Sequence, residues 1–482
     1  MRNMIKPFLL SICLVLAFTS GAVARDICVR LADKTSSVAV RSDASMTLTD
    51  SAKKKVDLGK SATLHHSGAY VTVGKRKFQL PARISSAGLL GFNDRKYRGE
   101  FLLTREFLLI NVLDVEDYVR GVLPAEGVVS WPKEYQKAQA IISRTYGLRQ
   151  SLNRSARGYD VVDSTSDQVY KGAGVETPAT DQAVKDTAGE VVTYGSALAF
   201  TPYHSDSGGY TATNAHVWGS DIPYLTGVKE PVAYKSPNSN WTAKIPASQV
   251  QAALSKIGHN VGKVKEVQVT ATDAGGRATT LTFVGSNGSV SVKSSVFRNH
   301  VGSNTLKSTF LTGGVPGAPI ASSISATQPQ QPSRTLSPPA PPSPPVPTSN
   351  TPMTGGEETR LSRMTSDGIF TSAELLDMLV NPEKRKGYLY IGIERSGLAP
   401  KPKTESKPPV ALPKTTPGAG MPELKPAEVI SEENGYFVFS GKGWGHGVGL
   451  SQWGAQAMAK AGWTAGRILE HYYPGTVVKR FK

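Results

Sequence analysis

Apolar residues recur at helical spacing in one central stretch of the chain. Trp131, Tyr135, Ala138, Ile142 and Tyr146 follow one another at steps of four, three, four and four residues. This spacing places their side chains on one face of a helix, and a serine before the stripe can cap its start. The pattern therefore predicts a helix that begins near Trp131. The polar residues between the apolar positions are predicted to face water: Lys133, Gln136, Lys137 and Arg144.

Short apolar runs on both sides of this helix predict strands. Upstream, residues 107–113 form a nearly continuous apolar run, and residues 27–105 alternate short β-type runs with Gly, Ser, Asp and Lys. Such alternation between turn residues is typical of antiparallel strands. Downstream, the pattern predicts a short helix over 180–189, a strand over 190–194, and a helix followed by two strands over 249–285.

The last part of the chain combines a strand, a glycine-rich loop and two helices. Residues 435–441 predict the strand, and the helices are predicted to begin near Ser451 and Thr464, with Gly462 ending the first. The whole pattern predicts an α+β fold. Its β-rich domain has a central helix following a loop that contains a glutamate, and it closes on the C-terminal strand, glycine-rich loop and two helices.

A change in composition divides these elements into two parts. Residues 313–430 are rich in proline and are predicted to be a disordered insertion. A small helix–strand island interrupts it at 369–394, where a capping box at Thr371–Glu374 predicts a helix and residues 387–394 predict a strand. The predicted organisation is a folded domain whose first part spans 25–312 and whose C-terminal part spans 431–482.

The N-terminus predicts export. Arg2 and Lys6 precede an apolar run that is too short to span a membrane, and small residues follow as a cleavage site, so residues 1–24 are predicted to be a signal peptide. Its removal leaves Cys28 as the only thiol, which allows no intramolecular disulfide and no cysteine-pair metal site. We expect an extracytoplasmic protein of the periplasm or cell wall, with no membrane span after signal removal.

The charge balance of the chain is strongly basic. Its 55 Lys and Arg residues against 38 Asp and Glu residues give a formal net charge of +17. A basic exported protein is attracted to anionic wall polymers or membrane surfaces, although surplus lysines also serve solubility alone. No nucleic-acid-binding motif is present in the sequence, and nucleic acid is not an expected partner.

One carboxyl group stands out as candidate chemistry. Glu126 is predicted to lie in the connection between the strand and the central helix, among Val122, Leu123 and Val128. Apolar surroundings disfavour the charged form of a carboxyl group, so Glu126 can stay protonated and act as a general acid. The alternative is an ordinary glutamate in a surface loop.

Three polar loops are candidates for binding a sugar. Gln168 and Tyr170 follow the central helix, where a hydrogen-bonded turn is the alternative interpretation. Trp444 and His446 lie in the C-terminal glycine-rich loop, which lacks a phosphate-binding G-K-[ST] sequence and offers aromatic stacking instead. The segment from Thr201 to Thr211 has no G-x-S-x-G elbow of a serine hydrolase. His204, Ser205 and Ser207 supply hydrogen-bond donors and acceptors. Gly208 and Gly209 let the backbone approach a ligand closely.

Four of these segments resemble the SpoIID/LytB domain family, whose members are similar to stage II sporulation protein D. They are LPAE with SWPKEYQKAQAIISRTYGL, QVYKG, HSDSGG and GWGHGVGLSQWGAQ. The resemblance covers residues Ile27–Thr312 and Tyr436–Thr476 and implies that the two parts meet and share one cleft. It implies Glu126 as the catalytic residue. It also implies these substrate-binding residues: Gln168, Tyr170, His204, Ser205, Ser207, Gly208, Gly209, Trp444, His446 and Gln452.

The family includes lytic transglycosylases of peptidoglycan and enhancers of wall amidases, and both functions remain open at this point. A transglycosylase needs only one carboxyl group, because the muramic C6 hydroxyl is the nucleophile and closes a 1,6-anhydro ring. A third hypothesis is a metal-dependent hydrolase built on His204 and His446. Some relatives bind zinc with histidine and cysteine. This chain has no cysteine there, and a metal would need His204 or His216 with distant ligands, so we expect no cofactor, with zinc as the alternative. The expected partners are peptidoglycan glycan strands and a wall amidase.

Overall fold

The computed structural model describes residues 26–152, 157–313, 357, 361, 385–395 and 428–481. The predicted signal peptide lies outside these residues. So does most of the predicted insertion, including the helix predicted after Thr371.

The described residues combine many short strands with helices, in agreement with the predicted α+β class. The strands are β1 (Asp26–Ala32), β2 (Ser37–Thr49), β3 (Lys55–Ser67), β4 (Tyr70–Val73), β5 (Arg76–Gln79), β6 (Ala82–Ser86), β7 (Leu90–Phe92), β8 (Arg95–Tyr97), β9 (Glu100–Leu103), β10 (Leu109–Asp114), β11 (Val161–Val162), β12 (Glu190–Tyr194), β13 (Ala197–Leu198), β14 (Tyr203–His204), β15 (Trp241–Pro246), β16 (Val264–Thr272), β17 (Ala278–Gly285), β18 (Gly288–Lys293), β19 (Leu311–Gly313), β20 (Glu428–Glu433), β21 (Tyr436–Gly441), β22 (Leu450–Ser451) and β23 (Val477–Arg480). The helices are α1 (Val115–Glu126), α2 (Lys133–Leu152), α3 (Pro178–Asp186), α4 (Asn214–Trp218), α5 (Ala247–Lys256), α6 (Ser294–Val301), α7 (Arg385–Arg395), α8 (Gln452–Lys460) and α9 (Ala465–Tyr472). None of the helices in this part of the chain is both long and apolar enough to cross a bilayer.

The chain divides into two compact units within the segment 25–312 that was predicted as one part of a domain. The first unit comprises the described residues of Met1–Phe200 and Val477–Lys482, and the second those of Thr201–Thr476. The main sheet of the first unit has the strand order β11-β1-β10-β9-β6-β2-β3-β4-β5, with β7 beside β2 and β8. Its pairs are antiparallel apart from β1 and β11. The residues predicted to form antiparallel strands therefore do so.

Helix α2 buries the predicted apolar stripe, but two of its polar residues are also buried. Tyr135, Ala138 and Ile142 lie in the core. The prediction that Gln136 and Arg144 face water is wrong. The Gln136 amide donates to Val128 O at 2.7 Å. The Arg144 guanidinium, 0% exposed, pairs with the Glu116 carboxylate. A hydrophobic pattern cannot identify a buried cation whose charge is compensated by a partner elsewhere in the chain.

The second unit has a sheet built from segments on both sides of the insertion. Its order is β15-β21-β20-β16-β17-β18, and β19 also pairs with β21. Strand β20, which begins in the last residues of the predicted insertion, pairs with β16, and β21 pairs with β15. Both partners precede the insertion. A short parallel pair, β14 and β22, joins the same two segments again. Aromatic side chains fill the core under this sheet: Phe283, Phe297, Phe437 and Phe439.

The strand predicted at 387–394 is wrong, because α7 occupies Arg385–Arg395. The adjacent Tyr388 and Leu389 are both buried, whereas Tyr390 is exposed. A strand would place Tyr388 and Tyr390 on the same face. A short apolar run does not distinguish a helix from a strand by periodicity alone, and this run was read with the wrong period.

Candidate functional site

Glu126 lies at the C-terminal end of α1 and not in a loop. The Asp114 carboxylate caps the helix by accepting from Glu116 N at 2.8 Å, and the Gly127 amide closes it by donating to Leu123 O at 3.0 Å. The helix continues through Pro124, which occupies its last turn, so the expected glutamate loop is a helix end.

A partly buried ion pair fixes α1 against α2. Arg144 donates from Nε and Nη2 to the two carboxylate oxygens of Glu116, at 2.8 and 2.7 Å. Arg144 also donates to Glu190 O at 3.0 Å, and the Gly189 amide donates to Glu116 at 2.9 Å. Such a bidentate pair with additional backbone contacts restricts the geometry of both helices. The orientation of the helix that carries Glu126 therefore depends on residues distant in sequence.

The carboxyl group of Glu126 contacts the segment that follows α2. Its Oε1 atom accepts from Val169 N at 2.5 Å, and the residue is half-buried. Besides burial, the charge of Glu126 raises the pKa of two tyrosines. Burial chiefly raises the pKa of Tyr135, and the nearby Glu126 charge raises it further. Burial likewise raises the pKa of Tyr118, to which Tyr146, Asp167 and Glu126 also contribute. The carboxyl group thus lies beside protonated phenols and one backbone amide donor.

Gln168 and Tyr170, predicted to bind sugar, are interior residues. They are 0% and 1% exposed. The Tyr118 hydroxyl donates to Gln168 Oε1 at 3.0 Å, and the Tyr170 hydroxyl donates to Asn111 Oδ1 at 2.8 Å. Neither side chain presents a surface to a ligand, so the expected direct contact is corrected to a supporting position. Both residues fix the backbone of Val169, which contacts Glu126.

A close packing contact between α1 and this segment depends on Gly121. A Cβ atom at Gly121 would lie 2.4 Å from the Tyr170 ring. The Lys171 amide also donates to Gly121 O at 3.1 Å. Only a glycine allows the ring this close to the helix backbone.

In the second unit, the segment from Thr201 to Thr211 and the C-terminal glycine-rich loop pack directly together. Asp206 and Trp444 exchange backbone hydrogen bonds of 3.0 and 2.8 Å, and Ala212 N donates to Gly447 O at 2.7 Å. A Cβ atom at Gly445 would lie 2.6 Å from His204 Cβ, and one at Gly449 would lie 2.0 Å from Pro202 O. The glycines of this loop therefore allow close approach of two chain segments.

Two histidines lie side by side where these segments meet. The ring centroids of His204 and His446 are 5.5 Å apart, and that of Trp218 lies 4.8 Å from His446. His446 Nε2 donates to Tyr203 O at 2.9 Å while Nδ1 accepts from Val448 N at 3.1 Å. Burial lowers the pKa of His446 to about 4, and burial with the His446 charge lowers that of His204 well below its ordinary value. Both imidazoles are therefore neutral at neutral pH.

The other predicted residues of the HSDSGG segment differ in exposure. Ser207 is fully buried, where its hydroxyl donates to Glu230 Oε1 at 2.6 Å, so it cannot contact a ligand directly. Ser205 is partly exposed. A Cβ atom at Gly208 would lie 2.9 Å from Lys442 Cβ, so this glycine allows close protein packing, whereas the surroundings of Gly209 are open.

Glu230 is a carboxyl group that the sequence did not identify as important. It accepts from the hydroxyls of Ser207 and Tyr472, at 2.6 and 2.7 Å, and lies close against Gly454. Loss of water raises its pKa to about 7, although the hydrogen bonds act in the opposite direction. A lone glutamate in VKEPVAY carries no distinguishing pattern, because its partners lie more than 200 residues away or in a separate loop.

Two predicted residues of the C-terminal loop remain accessible. Trp444 is 39% exposed, and the Lys307 ammonium lies 5.7 Å from its ring centroid. Gln452 begins α8 and is partly exposed.

The described residues do not form a zinc site. Among them, no group of three or more His, Cys, Asp and Glu side chains is placed to hold a metal ion. His446 uses both ring nitrogens in backbone hydrogen bonds, and His204 Nδ1 lies 3.2 Å from Val448 O. The pair therefore offers one free ring nitrogen, His204 Nε2, where a zinc site needs at least three protein ligands, and it does not fit the metal-dependent hydrolase hypothesis.

The predicted site residues are therefore distributed over both units. Glu126, Gln168 and Tyr170 belong to the first unit, and the predicted residues from His204 onward belong to the second. Within each unit, the structure brings together segments that are far apart in sequence.

Comparisons with known proteins show which family the chain is similar to. Residues 104–194, which include Glu126, Gln168 and Tyr170, match the SpoIID family model, described as stage II sporulation protein. The chain is 27% identical over 370 residues to the protein named amidase enhancer from Bacillus subtilis (strain 168), covering 75% of this chain and 40% of the relative. It is 35% identical over 158 residues to stage II sporulation protein D of the same organism and 31% identical over 170 residues to that of Bacillus amyloliquefaciens. These two matches cover 30% and 32% of this chain and 46% and 49% of the relatives, so the chain spans less than half the length of each. The family match over residues 104–194 and the named relatives together show that this chain is similar to SpoIID-family proteins.

Proposed function

We propose that this chain acts in the cell wall as an exported lytic transglycosylase, with Glu126 as its single acid and base. The observation that carries the proposal is the position of Glu126, half-buried at the end of α1 in the matched segment, with Val169 N 2.5 Å from its carboxyl group. Its substrate is the link between N-acetylmuramic acid and N-acetylglucosamine in peptidoglycan.

The environment of Glu126 supports both steps of such a reaction. The negative end of the α1 dipole disfavours a charged carboxylate there. The Val169 amide favours the charged form by donating a hydrogen bond to it. A group under these opposing influences can donate a proton and later accept one. The protonated carboxyl group gives its proton to the glycosidic oxygen as the bond to the muramic C1 breaks.

The second step closes the sugar ring on itself. The C6 hydroxyl of the muramic residue bonds to C1, and the Glu126 carboxylate accepts the hydroxyl proton. The product is a 1,6-anhydro end, and the carboxyl group returns to its protonated state. One carboxyl group suffices because the substrate supplies the nucleophile, whereas most glycoside hydrolases use two.

The test is cleavage of purified glycan strands, with and without stem peptides, by the full chain. We expect the chain to release 1,6-anhydro ends that mass spectrometry detects. Glu126→Gln should lower their rate of formation at least about 100-fold, the usual scale of general acid–base catalysis. Glu106→Gln, an exposed glutamate of the same unit, is the matched control and should keep the rate. Unchanged product formation by Glu126→Gln would refute the enzymatic proposal.

A second candidate function is the stimulation of a wall amidase. The relative named amidase enhancer supports it, because that match extends over 75% of this chain. We expect an enhancer to bind glycan and to increase amidase activity without forming anhydro ends. Stimulation that survives Glu126→Gln, in a chain that forms no anhydro product, would establish this function instead.

A further inference from the structure

One face of α8 borders a concavity in the second unit. Trp453, Gln456, Ala457, Lys460 and Ala461 follow the helical repeat and line one side, and residues 232–235 line the other. The volume is about 420 Å³, within the range of ligand sites. We call this concavity the α8 groove.

The ends of the α8 groove differ in chemistry. Trp453 provides a partly exposed indole at one end, and Lys460 lies seven residues along the helix, about 10 Å away. Lys235 lines the opposite side. Both lysines are exposed, and within the part of the chain that the structure describes neither has a carboxylate within ion-pair distance. An aromatic face beside two uncompensated cations suits a sugar ring that stacks its apolar C–H face on the indole and carries an anion.

Hydrogen bonds to one short segment fix both walls of the groove. The Trp453 amide donates to Ser205 O at 3.1 Å, and Ser451 caps the helix by accepting from Gly454 N at 3.2 Å. On the opposite wall, the Tyr234 hydroxyl donates to Asp206 Oδ1 at 2.7 Å. Because Ser205 and Asp206 are neighbours, the width of the groove is set by the packed core of the unit. A preformed site costs less ordering on binding.

We propose that the α8 groove binds an acidic sugar unit, with the ring against Trp453 and its carboxylate between Lys235 and Lys460. This inference rests on the proposed action on glycan strands and adds a site in the second unit that binds the carboxylate of a sugar. In peptidoglycan the sugar with a carboxylate-bearing substituent is the muramic residue, whereas N-acetylglucosamine has a similar ring without it. Comparing the affinities for these two sugars therefore isolates the contribution of the carboxylate.

The experiment titrates the purified full chain with N-acetylmuramic acid and, separately, with N-acetylglucosamine. Binding is followed by NMR through the indole N–H signal of Trp453, which Trp453→Phe identifies by its disappearance. We expect the acidic sugar to bind about five- to tenfold more tightly. Lys235→Gln and Lys460→Gln should each weaken its binding about two- to fivefold, the range of exposed ion pairs, and leave N-acetylglucosamine unaffected. Lys256→Gln, an exposed lysine on α5, is the matched control and should bind as the wild type does.

Several outcomes would overturn the proposal. They are equal affinity for the two sugars, discrimination that survives the double lysine variant, and an indole signal that no sugar shifts. Tight binding of an alanyl dipeptide in place of either sugar would assign the groove to a peptide carboxylate. Thermal unfolding of each variant shows whether it is folded. Glu126→Gln should retain sugar binding, so loss of cleavage and loss of the groove are separable results.

Discussion

At the scale of single residues, the chain holds two carboxyl groups with unlike surroundings. Glu126 accepts a backbone amide at a helix end, whereas Glu230 accepts two hydroxyl groups in a desolvated position. Glu126 was selected as a candidate from its sequence neighbours and the family resemblance, because the residues of that motif are local. Glu230 was not, because Tyr472 and Gly454 reach it only through the tertiary fold. A local motif can therefore indicate a candidate such as Glu126, whereas the surroundings of a buried group such as Glu230 depend on the tertiary fold.

Glu230 predicts a specific dependence of stability on pH. Its pKa is about 7 in the folded chain against 4.5 for an unperturbed glutamate, so the folded form keeps a proton that the unfolded form releases. Its contribution is complete below about pH 4.5 and is lost as the pH rises to about 7. His446 acts in the opposite sense. Its pKa is lowered from 6.5 to about 4, so its contribution is lost as the pH falls through that interval.

Glu230→Gln separates the two effects, because an amide keeps its size and does not titrate. We expect the variant to gain stability relative to the wild type between pH 5 and pH 8, by on the order of 2 kcal/mol. The measurement is the free energy of unfolding in urea at both pH values. His300→Gln, an exposed histidine of the same unit, is the control and should follow the wild type. A variant with the wild-type pH slope would show that Glu230 is ionised in the folded chain.

At the scale of helices and strands, the sequence predicted where a helix begins more reliably than how that helix packs against others. Ser451 and Thr464 cap the two C-terminal helices where the pattern predicted them to begin, because each cap depends on neighbouring residues. The helix end at Glu126 and the buried Arg144 did not follow from the pattern. Arg144 is buried because Glu116, 28 positions earlier, neutralises it. Contacts of this kind depend on how elements pack, which periodicity does not encode.

The contact between α1 and the segment around Val169 gives a second prediction. Gly121→Ala places a methyl group 2.4 Å from the buried Tyr170 ring, so the ring or the helix must move. We expect a loss of about 1–3 kcal/mol in stability, the usual cost of overpacking. Displacement of the segment should also lengthen the contact between Val169 N and Glu126. Formation of anhydro ends should therefore fall further than the loss of folded protein explains.

A matched glycine on another helix provides the control. Gly466 lies in α9 with no heavy atom within 4 Å of the added Cβ position. Gly466→Ala should be neutral or stabilise the chain by up to about 1 kcal/mol, because alanine favours a helix. Thermal unfolding and the glycan assay are measured for both variants. If Gly121→Ala were as stable and active as Gly466→Ala, the close approach of Tyr170 would have no role in positioning Glu126.

At the scale of the whole molecule, the second unit is built from two segments separated by a long stretch of sequence. Strand β19 ends at Gly313, which pairs with Ser440 near the C-terminal end of β21. Strand β20 begins at Glu428 and pairs with the N-terminal end of β21. Strands β19 and β20 therefore lie on one side of β21 and contact each other. The sheet brings the two ends of residues 314–427 near one another, and its hydrogen bonds do not require that segment to follow any particular path.

This arrangement predicts that residues 314–427 can be replaced by a short linker. About eight Gly and Ser residues span roughly 15 Å, enough to join neighbouring strands of one sheet. We expect the shortened chain to unfold in the same temperature range as the full chain, because the core around Phe283 and Phe439 keeps its contacts. A shorter loop also costs less closure entropy, by roughly 2 kcal/mol for this change in length. Thermal unfolding followed by near-ultraviolet circular dichroism measures the outcome.

A chain that loses its tertiary signal would show that Leu361, Tyr388 and Leu389, which are buried in the full chain, are required to complete the core. Restoring residues 357–395 between two short linkers should then recover the fold, whereas a linker of equal length and neutral composition should not.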